Sequence, residues 1–407
     1  MKTIFALILG IFIAIGASPA YATVLGWDLS GNVFQPLRNA WTSEVRVSHI
    51  TATSTTATST FSGPLVVNGT TTIPNLNGTI YVDGVKYAKT TNGINSAINE
   101  CYTLYPDCSI IQLPFGTTTL SGSSIVPKAN IHIKGYGVGR TIIVPDPSAT
   151  GGNGDAFRSI TATSSTYLKN IQISDLTIDA TSQYSGSPLG TEASPYSNGI
   201  TLQGVDDLRL SNIKIINPFG FGILIGSDGG GAPYINNPII TDVEVIGERN
   251  GNDSIGGGGI NGGYIKNYKF LDGYGSVSDL TNVENFNWSF INATRTSQAI
   301  YSQSKGWCIG TDFGANNVGV YDSYFDGCYF GVVTDQSLTN GSSSKVKISR
   351  NSFKNIWQAA LYFPSAAGKF TKEINISDNF ITNWGMSGNG SQGIVLKDVQ
   401  NFIIDKN

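Results

Sequence analysis

The sequence predicts an all-β fold, a parallel β-helix solenoid with an N-terminal capping helix. Three observations carry this reading. Val318-Gly-Val320, Val346-Lys-Ile348, Ile374-Asn-Ile376 and Phe402-Ile-Ile404 recur at 28-residue intervals, each followed three residues later by Ser323, Asn351, Asn379 or Asn407. Only 13% of the 407 residues are charged, while Gly (49 residues), Asn, Ser and Thr abound, a composition of turns rather than of wet helix faces. One segment alone, between Thr90 and Tyr105, has the apolar spacing of an amphipathic helix.

In chain order, the first element is an expected signal peptide, residues 1–22. Lys2 opens it, an apolar run follows from Ile4 to Ile15, and Ala20-Tyr21-Ala22 is an A-x-A cleavage site. The run is too short to span a bilayer, and no later stretch is long and apolar enough to do so. The expected location is therefore secreted or cell-surface. Residues 23–78 read as an extended stalk: Thr51 to Thr60 holds eight Ser/Thr in ten residues, a bias that cannot bury a core. Such a stalk offers a route to a homotrimer. The helix follows, with Ile94, Ala97, Ile98, Cys101 and Leu104 on one stripe, an N-cap from Thr90, Thr91 or Asn92, and Pro106 as its stop.

From Ser109 onward short strands alternate with turns. A fixed period of this size means a solenoid or a propeller. Propeller blades need about 40–45 residues, and the Leu-x-x-Leu-x-Leu pattern of leucine-rich repeats is missing. In a parallel β-helix each inward Ile or Val stacks on its equivalent one coil below, at about 4.8 Å. Asn at a corner tolerates left-handed backbone angles and can hydrogen-bond in ladders. Residues 109–407 would form about ten or eleven such coils. The last would expose its strand edges at Asn407, so a longer native chain or a covering partner is expected there.

Net charge is −3, with 25 basic and 28 acidic residues, so there is no basic excess for binding nucleic acid. Four cysteines in an exported chain suggest disulfides, Cys101–Cys108 and Cys308–Cys328, the second with a separation that is not a full 28-residue coil. His132, between Ile131 and Ile133, is expected to point outward.

The runs Ile94-Asn-Ser-Ala97-Ile98, Ile110-Ile-Gln-Leu113-Pro114-Phe-Gly116 and Ile131-His-Ile-Lys-Gly135-Tyr-Gly137, with Thr141-Ile142, resemble the N-terminal cap of the pectate-lyase-like superfamily. The resemblance covers residues 79–407. It implies a right-handed parallel β-helix and an interaction with polysaccharide. Activity does not carry over, since the superfamily spans lyases, glycosidases, epimerases, tailspikes and non-catalytic surface proteins. Gly251-Asn252-Asp253 is similar to the Gly-Asp-Asp of polygalacturonases with its first Asp replaced. Gly220-Phe221-Gly222 is similar to their Gly-His-Gly without the His, and their Arg-Ile-Lys is absent. The Asp-Pro-His-Glu of alginate epimerases and the Arg-x-Pro-x-x-Arg of pectate lyases are also missing.

Two places could hold chemistry. At Glu248-Arg249-Asn250-Gly251-Asn252-Asp253, ahead of Gly256–Gly259, two carboxylates and a guanidinium adjoin four glycines. These groups suit a lyase or epimerase, which must neutralise a uronate and remove its α-proton. Asp228, one expected coil before Asp253, would stack on it at about 5 Å, near enough to share Ca²⁺ or to form a carboxylate pair. The catalytic candidates are thus Asp253, Asp228, Arg249 and Glu248, with Asp228 and Asp253 as metal ligands. The second place is the aromatic cluster from Trp288 to Tyr329, where Trp307, Tyr301, Asp312 and Tyr324 are candidates for stacking on and hydrogen-bonding a polysaccharide. Two functions follow: a secreted lyase, epimerase or glycosidase on acidic polysaccharide, or a non-catalytic surface or tailspike-like module that binds glycans.

Overall fold

The computed structural model describes residues 78–407, except for 147, 149–153, 161–166, 184–196, 227–234, 249–252, 297–305, 336–342, 365–369 and 386–391 and the side chains at 312, 313 and 335. The expected signal peptide and all but the last residue of the stalk lie outside these. Among the described residues no helix is long and apolar enough to cross a membrane.

The strands stack in parallel and wind into a right-handed β-helix with three faces. The first face carries Phe157–Ile160, Ile200–Gln203, Ile223–Gly226, Ile255–Asn261 and Ser278–Glu284, then the start of Trp307–Tyr321, Phe330–Asp335, Ala359–Phe363 and Ile394–Leu396. Long strands such as Arg209–Ile216, Ile239–Ile246, Tyr264–Leu271 and Asn287–Thr294 turn a corner midway and serve the second face and then the third. In later coils separate strands do this, for example Ser344–Ser349 followed by Ser352–Ile356.

One column shows what holds the second face. Ile80, Ile111, Ile133, Ile173, Leu210, Ile240, Ile265, Trp288, Val320, Ile348, Ile376 and Ile404 pair in direct succession. All but Ile404 are buried. Each contributes roughly 1.5–3 kcal/mol of apolar burial. Ile348 lies between Val320 and Ile376, as the even spacing of the last coils requires. That even spacing holds only there. Earlier steps vary: the one from Ile111 to Ile133 is shorter, and the one from Ile133 to Ile173 is much longer.

Between the second and third faces the chain turns on a single left-handed residue. Asp175, Asn212, Asp242, Asn267, Phe290, Asp322, Arg350, Asp378 and Lys406 form this corner, with φ between +51° and +61°. The expected asparagine ladder stands one position further on, and its members are not the left-handed residues. The amide of Ser323 donates to Asn351 Oδ1, that of Asn351 to Asn379 Oδ1 and that of Asn379 to Asn407 Oδ1, each at 3.0 Å. Their Nδ2 atoms reach back to the carbonyls of Val320, Ile348 and Ile376.

The N-terminal helix, Thr91–Thr103, closes the solenoid. Thr90 caps it by accepting from the Gly93 amide, and Ile94, Ala97, Ile98 and Cys101 are buried. Leu104, expected on that stripe, is instead the exposed C-cap. Both disulfides are formed. Cys101–Cys108 ties the helix to the strand beginning at Ile110, and Cys308–Cys328 bridges neighbouring coils. Trp307 pairs with Phe330 at that level, a short local step, so the separation of 20 between these cysteines makes a diagonal bridge. His132 is half-buried on the outer surface, with Nε2 2.8 Å from Ser174 Oγ.

Candidate functional site

Glu248 and Asp253 are held by the turn Gly273–Ser276 of the next coil. Glu248 is fully buried rather than facing an outer groove, and its Oε2 accepts from the amides of Tyr274, at 2.8 Å, and Gly275, at 2.7 Å. Asp253 is half-buried, and its Oδ1 accepts from the Ser276 amide at 3.0 Å. From the other side buried Arg295 lies over the Phe270 ring and donates to the carbonyls of Gly273, Gly275 and Trp307. Two carboxylates therefore hold the amides of one turn while a guanidinium holds its carbonyls. Arg249 lies outside the described residues.

The glycines of this segment serve packing between coils. A Cβ at Gly256 would meet the Phe221 ring at 2.3 Å, and one at Gly257 the Ile225 carbonyl oxygen at 1.7 Å. Asp228 also lies outside the described residues, and the spacing that stacked it on Asp253 does not match the register. On this face Ile223 pairs with Ile255 and Gly226 with Gly258, a longer step than the one from Asp228 to Asp253. The shorter step belongs to the second and third faces, where Ile239 pairs with Tyr264. Among the described residues no three His, Cys, Asp or Glu side chains gather where they could hold a metal ion.

The aromatic cluster divides among surfaces. Trp288 is a core residue whose Nε1 donates to Ser278 Oγ at 3.0 Å. Trp307 packs on the outside of the first face, over Gly310 and against the patch of Tyr329, Phe330, Val333 and Ala359. Tyr324 stands on the third face. Tyr301 and the Asp312 side chain lie outside what is described.

Tyr324 instead belongs to an open groove of about 640 Å³ at the corner between the second and third faces. Two columns line it. The corner column supplies Phe290, Asp322, Arg350 and Asp378, and the third face supplies Asn292, Tyr324, Ser352 and Phe380, which pair in succession. Buried Ile291, Ser323 and Asn351 run between them.

Phe380 and Phe290 are 66% and 48% exposed, so each presents much of its ring to solvent. Lys266 Nζ sits 5.5 Å from the Phe290 ring centre. Arg350 forks onto Asp322, Nε to Oδ1 at 2.7 Å and Nη2 to Oδ2 at 2.9 Å, which holds the Asp322 carboxyl below its usual range. Tyr324 donates its hydroxyl to Asp326 at 2.8 Å; burial, and then this bond, push its pKa up.

The corner makes two of these residues conspicuous. A left-handed residue other than Gly costs roughly 1–2 kcal/mol, which Asp and Asn offset through local hydrogen bonds. Six of the nine corner positions are Asp or Asn. Phe290, Arg350 and Lys406 break the rule, and the first two line the groove. Sequence reasoning found Tyr324 here but missed Phe290, Arg350 and Phe380; for the first two the one sequence signal was a bulky residue at a corner position.

Three faces, corner columns and a helical cap define a right-handed parallel β-helix. No family model matches the chain, and no curated protein matches it. Among solved structures it is similar to an exopolygalacturonase from Thermotoga maritima, with TM-score 0.52, 11% identity, and coverage of 81% of this chain and 91% of that one. It is similar also to an endo-xylogalacturonan hydrolase from Aspergillus tubingensis, with TM-score 0.51, 13% identity, and coverage of 81% and 92%. The third is PfbA, a surface adhesin of Streptococcus pneumoniae, with TM-score 0.51, 13% identity, and coverage of 80% and 87%. At these identities the likeness is one of fold.

Proposed function

We propose that this protein is an exported, glycan-binding β-helix that holds its ligand in the corner groove without cleaving it. The observation that carries this reading is the pairing of two exposed rings, Phe290 and Phe380, with Tyr324 and a preset Asp322–Arg350 fork in one outward groove. Exposed rings offer faces for sugar C–H groups, and a planar fork suits neighbouring hydroxyls.

Two disulfides in a chain with an A-x-A signal segment support export. A lyase or epimerase acting through Glu248 and Asp253 is the less supported reading, because both carboxylates are engaged with backbone amides. Trimerisation through residues 23–78 would multiply weak single-site binding.

A glycan array followed by calorimetry tests the proposal. The protein is expected to bind a defined glycan, and Phe380→Ser is expected to weaken that binding with no change in melting temperature. Product release from the bound glycan would restore the enzymatic reading. Binding that is lost in chelator and regained with Ca²⁺ would move the site away from the corner groove.

A further inference from the structure

The two lining columns repeat with the coils, and this repetition says what shape of ligand fits. Phe290, Asp322, Arg350 and Asp378 stand one above another, and Asn292, Tyr324, Ser352 and Phe380 stand beside them at the same heights. Each step is one strand spacing, so the strip from Phe290 to Phe380 is about 14 Å tall, three spacings of about 4.8 Å. Its rings lie at opposite ends and on opposite columns, Phe290 low at the corner and Phe380 high on the third face. Between them the wall offers polar groups: the Asp322–Arg350 fork, the Tyr324 hydroxyl bonded to Asp326, and Ser352.

A ligand that reaches both rings must be extended, must lie along the solenoid axis and must expose polar groups through its middle. A linear chain of equatorially linked pyranoses has these properties, and it advances per sugar by nearly one coil height. We infer that the groove recognises the interior of a linear glycan over three or four consecutive sugars, one per coil, rather than a terminal sugar or a branch point. This rests on the groove being a glycan site.

The test is a length series of β-1,4-linked gluco-, xylo-, manno- and mannurono-oligosaccharides from two to six units, titrated by calorimetry into the intact protein. For the series that binds, affinity is expected to rise with each unit to three or four and then level off. The tetramer should bind at least about tenfold tighter than the dimer, the size expected of one added aromatic anchor. Phe290→Gly, which suits the left-handed backbone, and Phe380→Ser should each reduce that ratio to below about threefold. Affinity independent of length would overturn this inference and leave the glycan site standing. No binding of these series or of any arrayed glycan would remove both.

Discussion

Glu248 and Arg295 grip opposite sides of the same turn. Glu248 accepts the amide protons of Tyr274 and Gly275, while Arg295 donates to the carbonyls of Gly273 and Gly275. Both are buried, and neither side chain belongs to the groove. The expected consequence is structural: Glu248→Ala would take the carboxylate acceptor from the buried Gly275 amide and leave the Tyr274 amide its 3.3 Å bond to the Glu248 carbonyl, at a cost of about 1–3 kcal/mol. Glu248→Gln, which keeps an acceptor, should lose less. Urea denaturation checks this, and an alanine variant as stable as the wild type would sink it.

The buried column makes a prediction of its own. Ile348→Ala should cost about 2–5 kcal/mol through the cavity left between Val320 and Ile376. Ile348→Asp should cost more, because its charge would have no partner there. A melting curve for the aspartate variant that overlays the wild type would show the register to be wrong.

Asn379 is a rung of the inner ladder, linked to Asn351 below and Asn407 above. Replacing it with Ala leaves the Asn351 amide and the Ile348 carbonyl without this partner. A loss of about 1–3 kcal/mol is expected. Hydrogen exchange at Asn351 should accelerate in that variant, and unaltered protection there would count against the ladder.

Burial and the neighbouring Lys134 charge lower the His132 pKa below its usual value, with Asp175 opposing weakly. The unfolded chain therefore takes up this proton first, as pH falls below about 6.5. The stabilising contribution is complete above that pH and is lost as pH falls toward the folded value. Melting temperature between pH 7.5 and 5 should thus fall less in His132→Asn than in the wild type. Identical slopes would contradict this.

Reduction of Cys101–Cys108 should lower stability by roughly 2–3 kcal/mol and free the end of the capping helix. Peptide mapping without reductant should recover Cys101 with Cys108 and Cys308 with Cys328.

The coils were legible where no loop interrupts them. Val320, Ile348 and Ile376 keep an even step, so their periodicity can be read directly. Trp288 belongs to the same column, yet its unequal steps to Ile265 and Val320 hide it, because insertions at the corners change the count without disturbing the stack. The groove was harder to see for a related reason. Phe290, Tyr324, Arg350 and Phe380 are brought together by register alone, each from a different coil, and no local motif contains two of them. Glu248 and Asp253 drew notice as clustered acids, but sequence could not show that the next coil's amides would occupy them.

The axial pairing of every coil with the next also fixes how the molecule yields to force. A pull along the solenoid axis loads the rungs of one coil at a time, because each coil holds only its neighbours. The coils from Val320 to Ile404 should peel singly, each releasing an equal length of chain in its own small force peak. At Cys308–Cys328 the bridge shortens the releasable length by the residues it encloses, so oxidised and reduced protein would differ at one peak of the trace. Such a body gives way in instalments, a useful property for anything that must stay attached while its surroundings move.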